Sequence, residues 1–269
     1  VKSNHFLTKP MRTIISAFII VLLLSAGFAH ASTPDKTEEK PLKNHFLTIG
    51  GGYSPTGNQV SLEKNILYLQ RMLKDLDFAD APHTIYFADG NDPGRDLQFM
   101  DPKFRIPKIN KILAGLAGST KGLANQYRTN VIKANGASKA DLVSKWFDQK
   151  GKKLTKEDRL MLYFTGHGGK GDKKKPFNTV MYLWQDKNFR VGEFVKELDK
   201  LDKALPVTIV MVQCYSGGFA NIIFKEGDTS KGLSDHTRAG FYSTTHTRVA
   251  AGCTPDIREQ NYREYSTYF

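Results

Sequence analysis

The chain has 269 residues, 40% of them hydrophobic and 11% aromatic, which suffices for a sizeable core and excludes a disordered chain. A formal charge of +12 raises nucleic acid as a partner. The lysines are spread along the sequence, however, and the one dense run, KGDKKKP at 170–176, lacks the interleaved aromatic residues of a base-stacking platform. The charge therefore reads as a solvated surface, with no nucleic acid partner.

Arg12 precedes an apolar stretch from Ile14 to Leu24, followed by small residues ending in Ala29-His30-Ala31. This is the pattern of a secretory signal peptide with an A-x-A cleavage site, predicting cleavage after Ala31 and a secreted or periplasmic protein. The apolar core is shorter than the roughly 20 residues that span a bilayer, so no stable membrane anchor is expected after cleavage. The residues before Met11 read as upstream translation or as the literal reading of an alternative start codon. Export also favours disulfides, and one bridge between Cys214 and Cys253 is the plain structural reading of the two cysteines.

Residues 32–43, rich in charge and proline, read as a polar linker, and 44–269 as one domain. A first strand is expected at His45 to Ile49, running into Gly50-Gly51-Gly52. Leu62, Ile66, Leu69, Leu73 and Leu76 then recur at helical spacing, with Ser61 placed to cap the start. A short strand follows at Thr84 to Ala88. From Asp89 to Gly136 the pattern dissolves into Pro, Gly and Asn, apart from a candidate helix at Ile109 to Ala117. A stretch this long without pattern is often functional or mobile.

Ser138 and Asp141 predict a capping box ahead of Leu142, Val143, Trp146 and Phe147. Arg159 to Thr165 reads as a buried strand ending in Gly166-His167-Gly168-Gly169. Further strands are expected at Thr179 to Trp184, Val207 to Gln213 and Gly240 to Thr245. An amphipathic helix carrying Val191, Phe194, Val195, Leu198 and Leu201 precedes the second of these, and a short helix starts near Gly218. Apolar strands separated by amphipathic helices predict an α/β fold, with a mostly parallel central sheet and helices on both faces.

Active sites of open parallel sheets gather at the carboxyl ends of the strands. Two apolar strands here end in reactive side chains, His167 and Cys214. If those strands are neighbours, the pair is a nucleophile and its proton-transfer partner. The backbone N–H beside His167 and those of the turn after Cys214 suit an oxyanion, and a helix start lowers a thiol pKa. The chemistry expected is acyl transfer through a thioester.

YFTGHGG at 163–169 and QCYSGGF at 213–219 resemble the His-Gly and Cys motifs of the caspase-like cysteine peptidases, most closely the legumain family and its bacterial relatives. The histidine precedes the cysteine by 47 residues, near the spacing of about 50 in caspases. STTHTRVAAGC at 243–253 and YREYSTYF at 262–269 also look like the segments that follow the nucleophile in the legumain family. The resemblance implies a caspase-like αβα sandwich with Cys214 as nucleophile and His167 as general acid. It also implies an oxyanion hole formed by the N–H groups of Gly168 and Cys214, with no metal or organic cofactor. Tyr215, Ser243, Thr244 and His246 are substrate-pocket candidates, and Cys253 is expected as a free thiol.

Legumains of plants and animals grip asparagine with an arginine after the first strand and an acidic residue before the cysteine. This chain has GGGYSPTGNQ and Met211, Val212, Gln213 at those places, so asparagine specificity is not implied. The expected activity is an exported cysteine endopeptidase acting on a peptide or protein substrate. A transpeptidase using the same thioester, or a catalytically silent binding protein, are the alternatives. The lysines of 173–175, just after the histidine, suggest a preference for acidic substrates or the docking of an inhibitory segment. The break at YSTYF, inside a segment that reads as the lead-in to another element, suggests a truncated chain.

Competing motifs fail on context. GHGGKG at 166–171 matches G-x-G-x-x-G, but DKKKPFN follows where an amphipathic helix is required. A phosphatase loop needs arginine where Ala220 stands. A serine-hydrolase elbow at Ser216 needs glycine at the position of Cys214.

Overall fold

The computed structural model describes residues 41–185 and 187–256; the segment expected to be a signal peptide, most of the expected linker and the YREYSTYF segment lie outside these. In chain order the elements are β1 (Lys43–Gly51), α1 (Val60–Asp75), β2 (His83–Phe87), β3 (Leu97–Met100), α2 (Lys108–Leu116), β4 (Asn125–Arg128), α3 (Ala140–Gln149), β5 (Asp158–Gly166), β6 (Gly168–Gly169), β7 (Val180–Met181), β8 (Phe189–Arg190), α4 (Val191–Leu198), β9 (Val207–Met211), a 3-10 run (Ser216–Ile223) and β10 (Arg238–Tyr242). Strands β10-β9-β5-β1-β2, in that spatial order, form a central sheet whose pairings are all parallel.

Successive strand residues point to opposite faces of a sheet, and both faces here are apolar. Leu47 and Ile49 of β1, Leu160, Leu162 and Phe164 of β5, and Ile209 and Met211 of β9 pack with Trp146 and Phe147 of α3 and Phe194, Val195 and Leu198 of α4. The alternate residues Phe46, Tyr163, Val210 and Val212 pack with Leu69 and Leu73 of α1. Ile85 and Phe87 of β2 meet Leu62 and Ile66 on the same side. The architecture is therefore an αβα sandwich. Burial on both faces explains why these strands read as unbroken apolar runs.

Several local expectations are corrected. α1 starts at Val60 behind Gln59, without a side-chain cap; Ser61 is fully buried inside the helix and its Oγ accepts the Thr254 N–H at 3.1 Å. Leu76 lies past the helix end and is 56% exposed. α3 begins at Ala140 behind Lys139, also without a side-chain cap; the Ser138 carbonyl instead accepts the Trp184 N–H at 2.9 Å. In both cases tertiary contacts engage the serine that local sequence assigns to the helix end. The strand expected at Thr179 to Trp184 shortens to β7, and it joins the small antiparallel sheet β6-β7-β8 rather than the central one. The patternless stretch 89–136 contains the antiparallel pair β3 and β4, with α2 between them.

From β1 the chain crosses outward to β2, then returns past β1 to β5 and continues to β9 and β10. The direction of winding reverses between β1 and β5. A crevice at the carboxyl ends of those two strands is where ligands bind in sheets of this kind.

Candidate active site at the carboxyl edge of the sheet

β5 and β9 are direct neighbours, and their last paired residues are Phe164 and Met211. His167 and Cys214 each lie three residues beyond that pair, so the two segments leave the carboxyl edge of the sheet side by side, next to the β1/β5 switch point. Gly168 is packed so tightly that a Cβ there would overlap the Cys214 carbonyl oxygen. Glycine is required at this approach because any side chain would push the two segments apart.

The turn after the cysteine is held in an uncommon conformation. Tyr215 is left-handed, with φ 59° and ψ 19°, which costs a non-glycine residue about 1–2 kcal/mol. Its N–H donates to the Arg248 carbonyl at 2.9 Å. The 3-10 run Ser216–Ile223 follows immediately. Residues held off their preferred backbone conformation concentrate at functional sites, and this bend keeps Cys214 half-exposed at the end of a strand buried at every position but Thr208.

The β1–α1 loop holds His167. Its Nε2 donates to the Gly57 carbonyl and to Gln59 Oε1, both at 2.8 Å. Two oxygen acceptors at one nitrogen place the proton there, so in the neutral ring Nδ1 carries the free lone pair. Burial holds the His167 pKa below the ordinary imidazole value, partly opposed by the bond to Gly57. Neutral imidazole is therefore favoured near pH 7 and can receive a proton. The Tyr53 ring stands edge-on to His167 at 5.3 Å and to Tyr182 at 5.8 Å. Tyr53 and Tyr182, with Leu183, Gln185 and Asn188, line a cavity of about 480 Å³ beside the histidine.

The same loop is anchored from below. Asn58 is fully buried; its Oδ1 accepts the Gly52 N–H at 3.1 Å, and its Nδ2 donates to Asp96 Oδ2 at 3.1 Å. The Asn58 carbonyl takes the Gln98 N–H of β3 at 2.7 Å. Burial raises the Asp96 pKa, and the Asn58 bond works against that shift. Residue-type patterns do not single out Gly57, Asn58 and Gln59, since a backbone carbonyl and two amides carry no catalytic signature. The available signal is position: GGGYSPTGNQ follows β1 at the switch point.

The oxyanion donors proposed from sequence lie in this edge. The Tyr182 N–H reaches the His167 carbonyl at 3.0 Å, the pattern of a non-hydrogen-bonded pair at Gly168↔Met181, so the Gly168 N–H points away from β7. Among the described residues the Cys214 N–H has no acceptor. Ser243 and Thr244, expected at the substrate pocket, are bonded to the turn after the cysteine. Ser243 Oγ lies 3.3 Å from both Ser216 Oγ and the Gln213 carbonyl, and the Thr244 N–H donates to Ser216 Oγ at 3.2 Å. Both brace the turn behind the cysteine. His246 stacks on Phe177 with ring centres 4.0 Å apart, and Lys170 Nζ lies 5.7 Å from the centre of the Tyr215 ring. Lys174 and Lys175 border a separate cavity that Glu226 and Asp228 share, and Lys175 is among the groups that lower the Asp228 pKa.

The segment from Arg248 to Pro255 crosses the whole edge. Cys214 Sγ accepts the Ala250 N–H at 3.3 Å and lies 3.8 Å from the Ala250 carbonyl oxygen. Cys253 Sγ lies 3.8 Å from the Gly166 carbonyl, Thr254 binds Ser61, and the Pro255 carbonyl takes the Met100 N–H at 2.9 Å. Both cysteines are free thiols, so the disulfide reading is set aside. Among the described residues no three His, Cys, Asp or Glu side chains cluster as a metal site.

A scan against protein-family models finds no match, and neither does a comparison with curated proteins. Among solved structures the chain is similar to protein GSU0716 from Geobacter sulfurreducens, with 15% identity and a TM-score of 0.38, over 64% of this chain and 50% of that one. The match thus spans half the length of that structure, and at this level of likeness function has to be read from the residues themselves.

Proposed function

We propose that this chain is a cysteine endopeptidase of caspase-like type, using Cys214 as nucleophile and His167 as its acid–base partner. The observation that carries the reading is the equivalent placement of the two residues beyond the last pair of adjacent parallel strands, at the carboxyl edge of the sheet. His167 Nδ1 takes the thiol proton, and the thiolate adds to the carbonyl carbon of the scissile peptide. The resulting oxyanion is received by the N–H groups of Gly168 and Cys214. Collapse expels the amine, which leaves with the proton from His167, and a thioester remains on Cys214. Water, deprotonated by the same imidazole, adds to that thioester and releases the acid and the thiol.

Ala250 rests against Sγ in this structure, so a substrate reaches the thiol when the Arg248 to Pro255 segment moves. The test is iodoacetamide labelling at neutral pH, mapped by mass spectrometry. Activation of the thiol by His167 predicts labelling of Cys214 that falls roughly a hundredfold in His167→Ala. A peptide library should be cleaved by the wild type and left intact by Cys214→Ala. Labelling no faster than an ordinary thiol, with no cleavage, would favour the binding-protein reading.

A further inference from the structure

The remaining unexplained feature of the fold is α2. Ile109, Ile112, Leu113 and Leu116 recur at the spacing of one helix face, and they are 58%, 58%, 56% and 82% exposed. Within the helix only Ala114 is buried. Helices of soluble domains turn such a face inward, whereas this one presents it to solvent. Phe104, just before the helix, and Val131 are also exposed, adding large apolar side chains to the same excursion of chain.

The charge around this face is one-sided. From Pro102 to Ala140 the sequence holds eight basic residues, Lys103, Arg105, Lys108, Lys111, Lys121, Arg128, Lys133 and Lys139, and no acidic ones. Arg128 is answered by the buried Glu63. None of the other seven takes part in an ion pair among the described residues. Lys108 and Lys111 lie in the helix itself, close to the apolar stripe.

We propose that α2 docks this protein on an anionic lipid surface, with its apolar face in the boundary between headgroups and acyl chains and the flanking cations on lipid phosphates. Basic amphipathic helices partition to membrane surfaces in this way. Charge complementarity decides between occupants. A second copy meeting this face about a two-fold axis would bring the same basic patch against itself, with no acidic residue between Pro102 and Ala140 to answer it. An anionic bilayer satisfies the apolar face and the cations together. The site lies in the same excursion as β3, whose Gln98 and Met100 bond to Asn58 and Pro255. Docking at α2 thus holds the candidate cleft close to the membrane surface, while the proposal stands independently of the catalytic reading.

The test is cosedimentation of the full chain with phosphatidylcholine vesicles, with and without phosphatidylglycerol at roughly a third of the lipid. Binding is expected to the anionic vesicles, to fall at least tenfold on pure phosphatidylcholine, and to weaken with added salt. The double variant I112E/L116E changes exposed side chains and should retain wild-type thermal unfolding while losing vesicle binding. K108A/K111A, a second and milder variant, should weaken binding severalfold. Failure to bind anionic vesicles at low salt overturns the proposal. So does binding that survives unchanged in both variants, which would place the contact elsewhere in the chain. Concentration-dependent self-association without lipid, abolished by I112E/L116E, overturns it in favour of a second copy.

Discussion

Helices α2 and α4 carry the same pattern and meet opposite fates. Val191, Phe194, Val195 and Leu198 in α4 follow the spacing of Ile109, Ile112, Leu113 and Leu116 in α2. The α4 residues are at most 1% exposed, and those of α2 are at least 56% exposed. The difference lies in what each helix packs against. α4 lies on the sheet beside Phe147, Phe189 and Phe219, with aromatic contacts on several sides of Phe194. α2 lies in the excursion between β3 and β4, a two-stranded ribbon separate from the central sheet. Periodicity thus declares an apolar face, and the topology decides whether that face is core or surface.

That contrast can be broken by matched substitutions. Phe194→Ala should destabilise the fold by about 3–5 kcal/mol, because it deletes a buried ring and leaves a cavity; urea unfolding measures this directly. Asn58→Ala, in the loop that joins the excursion to the site, removes the partner of Asp96 and of the Gly52 N–H. A cost of about 1–3 kcal/mol is expected. The substitution should also change the pH dependence of Cys214 labelling, because the loop supplies both acceptors of His167 Nε2.

A smaller effect is expected at His83, which opens β2 and has its Nε2 2.8 Å from Thr48 Oγ1. Burial depresses its pKa from 6.5 to about 4. The unfolded chain therefore binds the proton first as pH falls, and this contribution to stability is lost between about pH 6.5 and 4. His83→Gln should flatten the stability curve in that window, read from unfolding midpoints at each pH. His167, also depressed by burial, keeps part of the slope. The smallest change belongs to α2: Leu116→Ala should alter stability by less than about 0.5 kcal/mol, as exposed positions do. An effect at Leu116 as large as that at Phe194 would show that α2 is covered within the folded chain.

The placement of the two candidate residues was legible because buried parallel strands leave a strong trace. Two apolar runs ending in His167 and Cys214 place reactive side chains at the carboxyl ends of strands, where ligands bind in such a sheet. The reading was weaker wherever side chains serve distant partners. Ser61 and Ser138 have the residue type of helix caps, yet tertiary contacts recruit them into the structure around Thr254 and Trp184. The bonds of Ser243 and Thr244 to Ser216 were likewise not legible, because they join segments 27 and 28 residues apart. Gly57 and Gln59 were missed because a carbonyl holding an imidazole is a matter of position, not residue type.

By itself the sequence determined the local matters: which strands are buried on both faces, which helices are amphipathic, and which two reactive side chains sit at strand ends. These depend on spacing along the chain, and spacing is what a sequence records. Strand order, the contact of Gly168 with the Cys214 carbonyl, the grip of the β1–α1 loop on His167 and the outward face of α2 were decided only by tertiary structure. Each depends on segments far apart in sequence, which meet only once the whole core has packed.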